Sequence, residues 1–405
     1  MRQKSQLILK VVLFCASLLS IYLMLRVGFF LGLGVLTITA SLAAQFIDYK
    51  LNPLTEKKIR RFKLIKRGYI SFWLLLIITV LTLFAELYVN NKAIAVHYQG
   101  KTYFTTYGDV QLGKEYGLTG SDANTPVDYR QLKQTFKDED QGNWVLMPLI
   151  PFSPNEQTTF QGYLKPRAPN TESQHYLGTD SIGRDILARL IYSFRVAILF
   201  SICFLILTYT IGISIGCMMG YFGGIFDLLS QRIIEIWSNI PFLYIVIIIF
   251  SIIPTSMSIS SRIITLLIIM VLFSWTSMTY YMRTGTYKEK ARDYTASAIV
   301  SGAGTWRIIF NHIIPNTIST IVTFMPFTIV AAITSITALD FLGLGLPPPT
   351  PSMGELLKQG KENLTTAPWI VTSAFFALVF LLSLVTFIGE AVREAFDPKK
   401  FTTYR

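Results

Sequence analysis

Long apolar runs separated by short polar segments dominate the pattern along this chain. An apolar run of about 20 residues crosses the hydrocarbon core of a bilayer as an α-helix. The runs predict core spans near Tyr69–Tyr88, Phe194–Gly220, Ile233–Ile253, Ile263–Met282, Ile318–Leu339 and Trp369–Gly389. Ahead of them, the run from Leu7 to Phe46 has the length of two crossings and contains Arg26. It predicts a hairpin of two further membrane helices within residues 1–56.

Two other interpretations of the N-terminal run stay open. A cleaved signal peptide would have an apolar core of about 7–15 residues followed by a small-residue cleavage site. Here the apolar run is longer and no such site follows at the right place. A single tilted helix with a re-entrant segment also fits, because no typical turn residues separate the two halves.

The polar segment of residues 89–192 is predicted to form an extracytoplasmic insert. It is rich in Tyr, Gly, Asn, Gln and Asp, and its short stretches Ala93–Tyr98, Thr102–Thr106 and Trp144–Leu149 have the composition of strands. These features predict a small mixed or loop-rich domain over the outer mouth of a helical bundle.

Composition and charge agree with a membrane protein. Hydrophobic residues make up 52% of the chain and charged residues only 15%, which excludes an ordinary soluble domain. The net charge of +12 does not indicate a nucleic-acid partner, because the basic residues concentrate beside the apolar runs. Basic residues favour the cytoplasmic side of a membrane and anionic lipid. Both termini are therefore predicted to lie in the cytoplasm.

The preference of basic residues for the cytoplasmic side also divides the chain into segments. Residues 57–88 are predicted to hold a basic cytoplasmic segment and the first core helix, and residues 193–390 the remaining core helices. A cytoplasmic loop is predicted at residues 283–316, and a cytoplasmic tail at residues 391–405.

The polar, partly basic segment from Asp293 to Asn316 predicts a helix–turn–helix between two spans. Glycine at position 302 allows a bend, and Pro315 suits the first turn of the following helix. An ordinary connecting loop is the alternative.

Residues 177–196 read LGTDSIGRDILARLIYSFRV. From Gly178 to Asp185 this segment has the glycine spacing of a phosphate-binding loop, but Arg184 replaces the lysine and Asp185 replaces the hydroxyl residue. Nucleotide binding is therefore not expected. The segment instead predicts an interfacial helix with an apolar stripe, capped by Thr179 or Asp180, with Arg184, Asp185 and Arg189 in polar surroundings.

Two further patterns concern helix packing and helix ends. Gly212, Gly216 and Gly220 form a smooth strip on one helix face, suited to the close approach of another helix. After Leu339 the chain reads LDFLGLGLPPPTPSMGELL, where the prolines end a span. Asp340, with Gly343 beside it, is a candidate pathway or gate residue, since acids near membrane segments are often functional. The alternative is a helix-end residue that reaches the interface.

Neither metal binding nor catalysis is indicated. The cysteines Cys15, Cys203 and Cys217 lie within apolar runs, and the histidines His97, His175 and His312 are far apart in sequence. No paired charges indicate a proton relay within the bundle, which argues against a secondary carrier.

Three segments, at residues 177–196, 304–316 and 339–357, resemble the C-type permease subunits of bacterial dipeptide and oligopeptide ABC importers. The stretches NWVLMPL and FIGEAVREAFDP, together with the long insert, look most like the YejE-like branch, which serves uptake of peptides and microcin C. The resemblance implies an all-α polytopic membrane protein. It would have the type I ABC importer transmembrane domain, with six core helices, the N-terminal appendage and the external insert.

The resemblance also implies a role without catalysis. ATP and Mg²⁺ would bind to a partner ATPase, with no cofactor on this chain, and the other partners would be a second homologous permease, an extracytoplasmic peptide-binding protein and the lipid membrane. An importer of nickel or another small solute, or a secondary carrier, remains an alternative.

The 290–316 loop would dock onto the ATPase. The implied docking residues are Asp293, Ala296, Ala298, Gly302, Trp306, Arg307, His312 and Pro315; the external motif comprises Gly178, Asp180, Gly183, Arg184 and Asp185. Ala296 departs from the family pattern, which usually has an acid there. A salt bridge from that position to the ATPase is therefore in doubt.

Overall fold

The computed structural model describes residues 53–139, 141–158, 165–254 and 256–396. The predicted N-terminal hairpin lies outside these residues, apart from the end of the segment assigned to it. The predicted tail from residue 397 onward also lies outside them.

Helices make up most of the described chain, which confirms the predicted all-α class. The α-helices are α1 (Pro53–Leu64), α2 (Lys66–Leu83), α3 (Tyr129–Glu139), α4 (Ile186–Phe222), α5 (Gly224–Ser238), α6 (Phe242–Ile252), α7 (Ile259–Lys290), α8 (Asp293–Val300), α9 (Thr305–Ile308), α10 (Ile314–Phe341), α11 (Met353–Glu362) and α12 (Pro368–Phe396). A π-helical turn, Ile309–Ile313, joins α9 to α10. Short 3₁₀ turns lie at Ala85–Leu87, Gly113–Tyr116 and Gly120–Asn124.

Within the described residues, five helices are long and apolar enough to cross a membrane. They are α2, α4, α7, the continuous helix Thr305–Phe341 and α12. The predicted span Ile233–Ile253 is not one straight helix, because α5 and α6 meet at a bend of 71°. Pro241 precedes α6 and cannot donate a backbone hydrogen bond to a continuing helix, so the sequence contains the cause of this break.

The chain divides into two compact units. Unit 1 contains the described residues up to Leu76, then Ala197–Pro348 and the residues from Phe380 onward. Unit 2 contains Ile77–Val196 and Pro349–Val379. The structure thus groups residues 349–379 with the insert, which sequence analysis had placed at 89–192 without them.

Unit 1 has two buried apolar clusters. One contains Phe200, Leu266 and Ile336 from α4, α7 and α10, and the other contains Met282 and the π-turn residue Ile313. The predicted glycine strip faces α7. A β-carbon at Gly216 would lie 2.5 Å from the backbone oxygen of Thr279, so only glycine allows this approach of α4 and α7.

Unit 2 contains the polar insert and its small sheet. Strands β1 (Ala95–Tyr98), β2 (Lys101–Tyr103) and β3 (Trp144–Leu146) form an antiparallel sheet in the order β2-β1-β3. All three lie at or beside the predicted stretches, which confirms the strand prediction. Helix α3, which was not predicted, buries Leu132 and Phe136 in the same core as Val96 of β1.

The separate interfacial helix expected after His175 is wrong. Ile186 begins α4, which continues without a break for 37 residues to Phe222. The apolar stripe of the motif is therefore the first part of a long membrane-capable helix, because no residue between Ile186 and Phe222 interrupts the helical hydrogen bonding.

Candidate functional site

A tight turn separates α8 from α9 and is built around Gly302. The Gly302 N–H donates to the Ile299 carbonyl at 3.0 Å, and the Ala303 N–H donates to the Ala298 carbonyl at 3.0 Å. Gly302 has φ +78°, a left-handed conformation that side chains other than glycine and asparagine rarely adopt. This Schellman-type end stops α8 and reverses the chain into α9.

The end of α8 exposes apolar surface. Val300 is 89% exposed and Ile299 is also exposed, directly before the turn. Asp293 and Arg307 are exposed on either side of it. Exposed apolar side chains beside charges are typical of a protein contact surface. We call Ile299, Val300 and Gly302 with these two charges the turn surface.

The base of α8 is held by side-chain hydrogen bonds to α7. The Thr295 hydroxyl donates to the backbone oxygen of Glu289 at 2.7 Å, and the Tyr294 hydroxyl donates to the Glu289 carboxylate at 2.6 Å. Burial, reinforced by the bond to Glu289, raises the pKa of Tyr294 to about 12, so its hydroxyl stays protonated as a donor. These bonds fix where α8 leaves α7.

The other side of the turn surface is tied to the core of unit 1. Ile308, Ile309 and Ile313 are buried around the π-helical turn, which allows three isoleucines close in sequence to face the core. Single π-turns in long helices often occur at functional sites. A force applied at the turn would therefore act directly on the helix that continues to Phe341.

The predicted docking residues do not form one uniform exposed set. Asp293, Ala296, Gly302, Trp306, Arg307 and Pro315 are exposed, whereas Ala298 and His312 are half-buried. Trp306, with Phe310, lines an apolar cavity of about 370 Å³ together with side chains of α4 such as Met218. Its docking role stays a prediction, and the structure also gives it a place beside α4.

In unit 2, the external motif contributes to a buried network of charges. Arg184 donates to the carboxylates of Asp180 and Glu355, at 2.6 Å in each case. Arg189 pairs with Glu355 and donates to the Pro154 carbonyl at 3.0 Å. Arg184 and Arg189 are both buried, and the polar surroundings expected of them are acids of the same unit, which satisfy their charges.

The start of α4 is capped by Asp185 rather than by Thr179 or Asp180. The Asp185 carboxylate accepts from the Ala188 N–H at 2.7 Å and from the His175 ring at 2.8 Å. Asp180 instead accepts from the Arg184 N–H at 2.9 Å and so closes the loop that contains Gly183. The Gly178 N–H donates to the His175 carbonyl, and Gly178 has φ +76°. The motif is thus a folded loop that orients the beginning of α4.

Asp340 has a structural contact at the end of α10. Its carboxylate accepts from the Leu346 N–H, and a β-carbon at Gly345 would lie 1.8 Å from that carboxylate. Gly343 has φ +79° and donates to the Asp340 carbonyl, which ends the helix. Both residues shape the loop before the prolines, and a role in a pathway or gate stays a prediction.

Sequence reasoning missed Glu355 and a second cavity in unit 1. A local signal existed for Glu355: the Ser352 hydroxyl accepts from its N–H, so Ser352 and Glu355 have the spacing of a capping box at the start of α11. The cavity, of about 360 Å³, is lined by α4, α7 and the helix ending at Phe341. No local pattern indicates a space that three distant segments enclose.

Comparison with known proteins identifies the architecture. A family model described as "Binding-protein-dependent transport system inner membrane component" matches residues 212–402, a range that includes the turn surface and α10. This family has the type I ABC importer transmembrane fold, in agreement with the observed helices.

Several curated proteins are similar over most of their length. The chain is 38% identical over 372 residues to the peptidoglycan transport system permease protein YejE of Agrobacterium fabrum, covering 86% of this chain and 94% of that protein. It is 38% identical over 355 residues to the inner membrane ABC transporter permease protein YejE of Escherichia coli, covering 87% and 99%. The dipeptide transport system permease protein DppC of Haemophilus influenzae is 36% identical over 257 residues, covering 63% and 85%.

The similarity to the two YejE proteins extends well beyond the matched family model, into the part of the chain that contains the insert. The chain belongs to the family of binding-protein-dependent transport system inner membrane components, in its YejE-like branch of ABC transporter permeases.

Proposed function

We propose that this chain is the permease subunit of an ATP-driven importer that takes up oligopeptides delivered by an extracytoplasmic binding protein. The names of similar permeases, which include dipeptide and oligopeptide transport systems, support peptide cargo. Microcin C-like peptides are included in the proposed cargo class. The chain would form part of the translocation path together with a second homologous permease.

ATP hydrolysis belongs, in this proposal, to a partner. ATP and Mg²⁺ bind to an ABC ATPase subunit, which contacts the turn surface from the cytoplasm; both termini of this chain lie on the same side. The turn surface carries the proposal because it combines exposed apolar side chains with a rigid attachment. Val300 is exposed at the turn, while Thr295 and Ile308 on either side of it are fully buried.

The proposed coupling between ATP hydrolysis and transport depends on how the turn surface is attached to the neighbouring helices. Movement of the ATPase displaces α8 and α9 together, because the Schellman-type turn at Gly302 joins them without a flexible linker. The π-helical turn passes the displacement into α10, which lines both cavities described in unit 1. Switching between inward-open and outward-open states would be a movement of rigid helices.

Two substitutions at position 302 test the coupling. Valine at φ +78° is strained by about 1–3 kcal/mol, whereas asparagine tolerates this conformation. Apart from the adjoining residues, no atom lies within 4 Å of the position that a β-carbon would take at Gly302, so the two variants differ in backbone strain rather than in crowding. In the reconstituted importer, we expect Gly302→Val to lower peptide-stimulated ATP hydrolysis about tenfold, and Gly302→Asn to retain most of it.

A charge on the turn surface tests the docking directly. Val300→Asp places a carboxylate where we propose an apolar contact, and it should release the ATPase during affinity purification in mild detergent. Val110→Asp is the control, because Val110 is also exposed but lies in unit 2. If the Val300→Asp variant still retained a stoichiometric amount of ATPase, the docking assignment would be contradicted. The proposed peptide cargo would be contradicted if the importer took up nickel, but no peptide, in an ATP-driven manner.

A further inference from the structure

The cavity of about 360 Å³ in unit 1 has an unusual lining. Residues with hydroxyl side chains from α4, α7 and α10, including Thr208, Ser277 and Thr328, line it together with aromatic residues such as Phe324. Among the described residues that line it, none is Asp, Glu, Lys, Arg or His. The cavity therefore offers neutral hydrogen-bonding groups beside apolar faces.

Thr208 provides the strongest indication of a ligand. Its side chain is 2% exposed, and its hydroxyl has no hydrogen-bond partner within the described chain. Threonines on helices usually satisfy this group with the carbonyl four residues earlier, as Thr210 and Thr328 do here. A buried hydroxyl without a partner is unfavourable, so its position on a cavity wall points to a partner that enters the cavity.

A second hydroxyl pair lies beside Thr208. The hydroxyls of Tyr209 and Thr328 are 2.9 Å apart, and Tyr209 is the donor because the Thr328 hydroxyl donates to the Phe324 carbonyl. Both oxygens keep lone pairs, so the pair can accept a hydrogen bond from a third group without loss of its own bond. Tyr281 stacks on Phe324 with ring centroids 4.0 Å apart, which adds an apolar wall.

We propose that this cavity is a cargo subsite that binds the main-chain amide groups of a translocating peptide. The inference rests on the proposed function. Amide N–H and C=O groups match neutral hydroxyls that both donate and accept, and the absence of charge in the described lining avoids selection for charged side chains. The volume lies at the low end of ligand pockets, which are about 300–1,000 Å³, so it takes a short segment of a longer peptide.

An apolar occupant fits the same cavity less well. A lipid or detergent chain would cover the aromatic walls but would leave the Thr208 hydroxyl without a partner. A cation would find no carboxylate among the described residues that line the cavity. A neutral polar ligand satisfies both kinds of surface.

Thr208→Val tests the subsite because it removes the hydroxyl and keeps the shape. Since the hydroxyl has no partner within the described chain, its loss should leave the thermal unfolding midpoint unchanged or higher. In proteoliposomes with saturating binding protein, we expect the maximal rate of ATP-driven uptake of tritiated trialanine to fall about fivefold, the effect of one lost hydrogen bond. Thr334→Val is the control, because Thr334 is exposed on the same helix as Thr328 and bonds to Val330.

The cargo series distinguishes main-chain from side-chain recognition. Uptake of trialanine, trilysine and triglutamate should fall by the same factor in Thr208→Val. Unchanged uptake, or a loss confined to one of these peptides, would overturn the main-chain assignment. Absence of peptide uptake by the wild-type complex would instead overturn the proposed function, so the two failures are distinguishable.

Site-directed labelling provides a second readout. With the native cysteines replaced by alanine, Ser277→Cys places a thiol on the cavity wall, and Thr284→Cys places one at an exposed position of α7 outside both cavities of unit 1. Trialanine trapped during turnover should slow maleimide modification of Ser277→Cys only. Equal rates with and without peptide, or equal slowing at both positions, would contradict occupation of this cavity.

Discussion

Unit 2 and unit 1 bury their polar groups in different ways. In unit 2, Arg184 and Arg189 are buried and held by the acids Asp180 and Glu355. In unit 1, α4 approaches α7 through glycines, and the cavity beside them is lined with neutral hydroxyl groups. The charge pair Asp227–Arg283 of unit 1 lies where α5 begins and α7 approaches its end.

This difference separates a fixed part of the molecule from a part suited to movement. A buried ion network holds one geometry, because displacement of either partner leaves an unpaired charge. Smooth helix faces and neutral hydroxyls impose a smaller penalty when helices shift by a small distance.

Removal of Arg189 should have the largest effect on stability. Arg189→Met removes one of the two arginines that bind Glu355 and leaves the Pro154 carbonyl without its donor. Arg184 still pairs with Glu355, so we expect a loss of about 3 kcal/mol in the free energy of unfolding, the effect of hydrogen bonds lost from a charged group. Arg232→Met is the control, because Arg232 is 74% exposed in its pair with Glu235 and should contribute at most about 1 kcal/mol. Thermal unfolding in detergent measures both, and equal midpoints would refute the distinction.

A methyl group between α4 and α7 should have an intermediate effect. At Gly216 the added carbon would contact the Thr279 backbone, which cannot rotate away, so Gly216→Ala should destabilise by about 1–3 kcal/mol. At Gly285 the nearest atom is a methyl carbon of the Thr317 side chain, at 3.1 Å. Gly285→Ala should therefore be the milder change in the same unfolding assay, and the reverse order would contradict the proposed role of the glycine strip.

Removal of one hydroxyl near the helix ends should have the smallest effect. The Tyr287 hydroxyl donates to Asp227 at 2.7 Å, while Arg283 donates to the same carboxylate through two nitrogens. Since Arg283 still satisfies Asp227, Tyr287→Phe should cost about 1 kcal/mol. Tyr244→Phe, at an exposed tyrosine, is the comparison; a loss as large as that of Arg189→Met would show that unit 1 also depends on a fixed charge network.

Much of the fold could be predicted from short stretches of neighbouring residues in the sequence. Glycine at position 302 between helix-forming segments indicated a turn, and the structure has one there with φ +78°. The three strand stretches were found because their composition is local. The bend before α6 could have been predicted from Pro241, but the apolar composition on both sides of it suggested one uninterrupted span.

The candidate sites could be predicted less well than the fold from local sequence patterns. The docking residues were selected by resemblance to a family motif, and their role stays a prediction. The burial of Arg189 was not predicted, because its acidic partner Glu355 lies 166 positions away in the chain. No sequence pattern marked Thr208 as a site residue, since the hydroxyl of a threonine in an apolar helix usually donates to a backbone carbonyl of the same helix.

The sequence alone determined the membrane class, most of the helical spans and the turn at Gly302, because each depends on residues that are neighbours in the chain. Only the tertiary structure decided that Arg184 and Arg189 share Glu355, and that α4, α7 and α10 enclose a cavity where the Thr208 hydroxyl has no partner within the described chain. The pairing of distant charges and the lining of a cavity depend on which helix faces meet. The linear pattern of apolar residues does not show which face of a mainly apolar helix will contact which other helix.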